Sequence, residues 1–101
     1  MKIVNSNEFV EVTKEGLVLV DFFANWCGPC RMMSPVLEEV EEEIEGLTVV
    51  KVVSDEIGSL AAKYGVQSIP NMILFKDGKP VDQIIGFRPK EDVIETIVKY
   101  V

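Results

Sequence analysis

Two seven-residue runs, Leu17–Phe23 and Leu47–Val53, constrain this chain more than any other feature. Each is almost continuously apolar, without the alternation a strand shows when one of its faces is wet. Such runs suit strands buried on both faces, in a parallel sheet covered by helices. Between them, from Cys27 to Glu45, the apolar residues Met33, Leu37, Val40 and Ile44 recur at steps of 4, 3 and 4. That spacing makes one buried helical face. Pro35 falls inside this helix and predicts a kink, and Gly46 predicts its end. Strand, helix, strand makes a right-handed crossover the default topology.

The flanking sequence extends the pattern. Lys2–Asn5 is a candidate first strand, and Asn5 with Glu8 has capping-box spacing. A helix to Glu15 would follow, burying Phe9 and Val12, with Gly16 as its stop. A short helix is expected over Ser59–Tyr64, stopped by Gly65. Met72–Phe75 and Val81–Ile85 flank Asp77-Gly78, which reads as a hairpin turn, and Pro80 beside it points to a sheet edge. Pro89 is expected at the first position of a last helix, with Val93, Ile94, Ile97, Val98 and Val101 as its buried stripe. The order βαβαβαββα is α/β: a central mixed sheet, parallel strands plus a C-terminal hairpin, flanked by helices on both faces. Residues 1–101 are expected to form a single domain.

Composition excludes several functions. The net charge is −7, and no basic patch of the kind nucleic-acid binding needs is present. There is no histidine, which removes Ser-His and Cys-His nucleophile systems and the commonest zinc ligand. No run approaches membrane-spanning length, and no export signal is seen, so the expected location is the cytoplasm. There a lone cysteine pair is not expected as a structural staple. Glu38, Glu39, Glu41, Glu42, Glu43 and Glu45 lie between the apolar helix positions, which marks a solvated face.

Cys27 and Cys30 are the only cysteines. A Cys-x-x-Cys that follows a strand and opens a helix reads as a dithiol/disulfide site. The alternatives are two inert buried thiols, or half of a zinc site shared between two chains. Helix-start N–H groups and the helix dipole would favour a thiolate at Cys27. Halving the gap between an ordinary thiol, pKa about 8.5, and an activated one near 7 takes roughly 1 kcal/mol. An exposed helix end supplies about 0.3–1 kcal/mol, so a hydrogen bond from the Cys30 thiol is the expected supplement. Cys30, one turn deeper, would be shielded and act as the resolving thiol. Pro29 has no donor to lose at a helix start and stiffens the link, while Gly28 leaves the approach to Cys27 open. Asp21 interrupts one apolar run and Lys51 the other. Asp21 either faces solvent at a strand end or forms an internal ion pair with Lys51.

Trp26-Cys27-Gly28-Pro29-Cys30, together with Val20-Asp21-Phe22, Pro35, Ile69-Pro70 and Phe75-Lys76-Asp77-Gly78, resembles the thioredoxin family in order and spacing, over Lys2–Val101. The resemblance implies the thioredoxin fold and a redox-active Cys27–Cys30 disulfide, with no bound cofactor or metal. It implies a protein-disulfide reductase and electron carrier recharged by thioredoxin reductase. The electron source, a flavin enzyme using NADPH or a ferredoxin-linked one, is left open. Implied clients are disulfide-containing proteins such as ribonucleotide reductase, peroxiredoxin and methionine sulfoxide reductase, met by a monomer. Asp21 would lie behind the cysteines as proton acceptor for Cys30, with Lys51 nearby. Pro70 would be cis, leaving the Ile69 backbone free to pair with an extended substrate segment. Trp26, Gly65, Val66, Ile69, Gly86 and Phe87 would complete an apolar docking surface, with simple core packing as the lesser alternative for Trp26. Phe23, Asn71 and the Ser54 preceding Asp55 depart from the family pattern, and are expected to bear on partner choice rather than on the sulfur chemistry. The competing function is a disulfide oxidase or isomerase of the same fold. Such relatives typically carry a histidine between the cysteines, where this chain has Gly-Pro.

Overall fold

The computed structural model describes residues 1–54 and 58–101, so the Asp55 part of the Ser54 departure lies outside the described residues. Both apolar runs are strands with the bounds read from the sequence: β2 (Leu17–Phe23) and β3 (Leu47–Val53). Around them lie β1 (Lys2–Ile3), α1 (Ser6–Thr13), α2 (Gly28–Glu43), α3 (Gly58–Lys63), β4 (Asn71–Lys76), β5 (Lys79–Ile85) and α4 (Lys90–Ile97). The sheet order is β1-β3-β2-β4-β5. β1, β3 and β2 run parallel, and β4 and β5 form the antiparallel hairpin.

Because β2 is buried from Val18 to Phe23, its side chains divide between two cores by parity. Val18, Val20 and Phe22 join Phe9 of α1 and Leu60 of α3 on one face. Leu19 joins Met33, Leu37 and Val40 of α2 and Val93 and Ile97 of α4 on the other. On the first face, Phe9, Tyr64 and Phe75 interlock with ring centroids 5.4–5.7 Å apart.

Local signals explain most boundaries. The Asn5 side chain accepts from the Glu8 N–H at 2.9 Å, and the Asn5 N–H donates to Glu8 Oε1 at 3.1 Å, a complete capping box. Asp77 and Gly78 both have positive φ, 49° and 88°, as a tight two-residue hairpin turn requires. Pro80 lies in β5, the outer strand, where its missing N–H breaks no inner ladder. Pro35 lies within α2 without ending it, although its nitrogen cannot donate to the Arg31 carbonyl.

Several expectations are corrected. α1 stops at Thr13, whose hydroxyl bonds back to the Phe9 carbonyl at 2.8 Å, and Val12 is only half-buried. α2 ends at Glu43, because Ile44 is already extended. Pro89 caps α4 rather than forming its first turn. The stripe on α4 is shorter than its periodicity predicts: Val93 and Ile97 are fully buried, whereas Val98 and Val101 are 51% and 73% exposed. The helix tightens into a 3₁₀ turn over Val98–Tyr100, which changes the period. Tyr100 takes their place, packing on the core with its hydroxyl 3.0 Å from Asp82 Oδ2.

The acidic face of α2 is also not uniformly solvated. Glu43 pairs with Lys90 of α4 at 2.8 Å. Glu41 Oε2 accepts from the Val49 N–H at 2.7 Å, one residue before β3 begins pairing with β1.

The change of helical period carries a direct test. Ile97→Ala should cost about 2–5 kcal/mol, and its neighbour Val98→Ala less than about 0.5 kcal/mol, in urea denaturation. Equal losses at the two positions would mean that the stripe continues through the last turn.

Candidate active site

β2 ends at Phe23, and a short turn, closed by the Cys27 N–H on the Ala24 carbonyl at 3.2 Å, delivers the chain to the start of α2. Cys27 is the N-cap residue in extended conformation, and its sulfur accepts from the Cys30 N–H at 3.2 Å. This is where unpaired helix N–H groups stabilise negative charge. Cys27 and Cys30 form a disulfide, with their Cα atoms 5.3 Å apart. Cys30 is 1% exposed and Cys27 5%. The pair packs with Phe23, Ala24, Val53 and Ile69. Apart from its chain neighbours and its own helix backbone, nothing in the described structure lies within 4 Å of where a Cβ on Gly28 would stand, so the space beside Gly28, next to Cys27, is open.

Of the residues expected to form a docking surface, Ile69 packs on the disulfide and others adjoin it. Trp26 is 71% exposed, which rules out the core reading. Trp26, Val66, Ile69 and Ser54 line one cleft, so the Ser54 departure sits on this surface. The Ile69 carbonyl is 4.0 Å from Cys27 Sγ, and the Ile69–Pro70 bond is cis. Gly86 joins the group by donating to the Pro70 carbonyl at 2.8 Å, and Phe87 beside it is 40% exposed. Gly65, immediately before Val66, is exposed. Asn71 is buried, with its side-chain oxygen accepting from Gln83 at 2.9 Å.

Behind the disulfide the arrangement differs from the expected ion pair. Asp21 and Lys51 are direct partners in the β2–β3 register and lie on the face covered by α2. Asp21 is fully buried, yet neither of its oxygens has a hydrogen-bond partner among the described residues. The Lys51 ammonium instead donates to Ser34 Oγ at 2.7 Å and stands 4.2 Å from the centre of the Phe23 ring. Lys51, Ser34, Phe23, Cys30 and Arg31 line a cleft of about 100 Å³. Burial pushes the Asp21 carboxyl up to about 7, and the nearby Lys51 charge offsets this only in part. A base with that affinity suits proton exchange near neutral pH.

Ser34 carried no functional reading in the sequence, and Phe23 carried one only for partner choice. Ser34 follows Cys30 by one helical turn on an otherwise apolar stripe, and that hydroxyl was the available signal. Phe23 was expected to leave the sulfur chemistry untouched, but it packs on the cysteines and carries the lysine. No cluster of three or more histidine, cysteine or acidic side chains able to hold a metal occurs among the described residues.

A family model described as Thioredoxin matches residues 1–99. The thioredoxin of Listeria monocytogenes serovar 1/2a is 51% identical, covering 100% of this chain and 99% of that one. A mutant thioredoxin from Halobacterium salinarum superposes with a TM-score of 0.92 at 37% identity, over 98% of this chain and 88% of that one. A further similar chain comes from a structure of the thiol-resolving mechanism in yeast mitochondrial 1-Cys peroxiredoxin via glutathione/thioredoxin systems. Its TM-score is 0.89 at 30% identity, over 98% of this chain and 94% of that one.

The raised Asp21 carboxyl fixes the sign of a stability profile. Between the ordinary carboxylate range and about pH 7 the folded chain holds a proton that the unfolded chain has released. The associated stability is present at low pH and is lost as pH rises through about 7. Asp21→Asn removes that loss, so its stability relative to the parent should rise between pH 5 and pH 8 by about 2–3 kcal/mol, because only the part of the titration between pH 5 and about 7 falls in that window. Urea unfolding of both oxidised proteins at the two pH values measures it. A difference independent of pH would show that Asp21 titrates as an ordinary carboxylate.

Proposed function

The chain belongs to the thioredoxin family, and from that premise we propose which residues carry each step of its thiol–disulfide exchange. It is a thiol–disulfide oxidoreductase whose redox group is the Cys27–Cys30 pair itself. Membership of the family implies a reductase and disulfide-bearing clients as its partners.

Cys27 is the attacking thiol. The observation that carries this assignment is its place at the α2 N-cap, with the Cys30 N–H directed at its sulfur and open space beside the neighbouring Gly28. Its thiolate attacks a client disulfide, forming a mixed disulfide and releasing the first client sulfur as a thiolate. Cys30 then passes its proton to Asp21 and attacks Cys27 Sγ. The bond from Cys27 to the client breaks, the second client sulfur leaves, and Cys27–Cys30 is oxidised as the client gains two electrons. A reductase returns two electrons to the pair. Pro29 and Gly28 hold the two sulfurs in register without covering them. Lys51 completes the polar group behind the pair.

Trp26, Gly65, Val66, Ile69, Pro70, Gly86 and Phe87 form the docking surface, on which an extended client segment meets the Ile69 backbone. The reductase is a thioredoxin reductase. Ribonucleotide reductase, peroxiredoxin and methionine sulfoxide reductase are the client types, met by one domain over residues 1–101 acting as a monomer in the cytoplasm. The described residues include no helix long and apolar enough to cross a membrane.

In an insulin-disulfide reduction assay driven by thioredoxin reductase and NADPH, Cys27→Ser should abolish turnover. Cys30→Ser should instead accumulate covalent mixed disulfides, which reductant releases. Equal trapping by Cys27→Ser would reverse the two roles.

A further inference from the structure

A lysine placed opposite a buried carboxylate is drawn to it strongly, because attraction grows as the dielectric falls. Asp21 and Lys51 are such neighbours, yet they do not meet. Among the described residues neither Asp21 oxygen has a hydrogen-bond partner, while the ammonium is held elsewhere, 2.7 Å from Ser34 Oγ and over the face of Phe23. A hydroxyl acceptor and an aromatic face together replace what the carboxylate would offer. We propose that Ser34 is a positioning residue that, with the Phe23 ring, holds the Lys51 ammonium off the Asp21 carboxylate.

The surroundings of Asp21 leave Lys51 as the charge that matters. From β3 it faces Lys51, its register partner, and from β4 it faces Met72, which is uncharged. α2 brings Cys30 and Arg31 to the cleft that Lys51 lines, and the exposed Arg31 guanidinium is turned to the Asn25 carbonyl at 2.9 Å. α4 contributes the apolar Val93 and Ile97 to this face.

The consequence for the reaction rests on the reading of Asp21 as proton acceptor for Cys30. A carboxylate paired with an ammonium holds a proton less well than a solitary one. By keeping the two apart, Ser34 preserves Asp21 as a base matched to a thiol. The proton moves from Cys30 Sγ to an Asp21 oxygen, and the thiolate so formed breaks the bond between Cys27 and the client.

The test follows the Asp21 carboxyl carbon by NMR across pH in the full oxidised chain. In Ser34→Ala the ammonium is released towards Asp21, and the titration midpoint should fall by about one pH unit. Ser34→Thr keeps the hydroxyl and should keep the parent midpoint. In a Lys51→Gln background, Ser34→Ala should have no effect, because the charge it redirects is gone. An unchanged midpoint in Ser34→Ala, or an equal fall without Lys51, overturns the proposal. Single-turnover resolution of a mixed disulfide by Asp21→Asn, from about pH 6 to 9, tests the other reading separately. A variant as fast as the parent throughout removes Asp21 as the base, and the midpoint measurements still decide the role of Ser34.

Discussion

Parallel pairing of β2 with β3, from Leu17 opposite Leu47 to Phe23 opposite Val53, sets the parity of every side chain near the disulfide. Leu19 and Val49 face α2, so Asp21 and Lys51, two residues further on, must face it too. The same strand delivers the chain at its carboxyl end to the start of α2, the end of a parallel sheet where ligand sites collect. β4 runs the other way beside β2, pairing Asn71 with Phe22. Its beginning therefore lies at the end of β2, which brings Ile69 and Pro70 up to Cys27. One register thus assembles three segments far apart in sequence.

What the sequence disclosed depended on how local the cause was. The two apolar strands, the Asn5–Glu8 box and the Asp77-Gly78 turn follow from neighbouring residues, and they appear where those residues put them. The outlook was poorer wherever a distant partner decided. Periodicity extended the α4 stripe to Val98 and Val101, because it cannot register a switch to 3₁₀ winding or a tyrosine folding back. Opposite charges on adjacent strands suggested an ion pair, because pairing rules contain no serine on a third element. The cysteines, Trp26, Ile69 and Pro70 were legible as a group through their combination along the chain. Ser34 was not, because a lone hydroxyl on a helix is ordinary until its partner is known.

The site also sets stability against chemistry. A buried, unpartnered carboxylate is costly in its charged form, and most of a stable fold would exclude it. Here it is fully buried on the sheet face that also carries Leu19, Val49 and its register partner Met72, which holds it away from water. The same packing that makes the charge expensive makes the proton easy to keep near neutral pH. Phe23 belongs to both sides of this balance, as apolar cover for the cysteines and as a face for the Lys51 cation.

The Glu41 carboxylate on the Val49 N–H has a meaning beyond α2. β1 is only two residues long and begins opposite Val50, so β3 would otherwise present a bare donor at the rim of the sheet. Bare rims recruit strands from other chains, and aggregation starts there. At the opposite rim Pro80 withholds a donor in β5. A protein proposed to receive extended polypeptide at Ile69 is surrounded by segments able to add to any open strand. One donor fewer at each margin leaves such segments less to add to, so sorting of foreign chains begins with what the sheet refuses to hydrogen-bond.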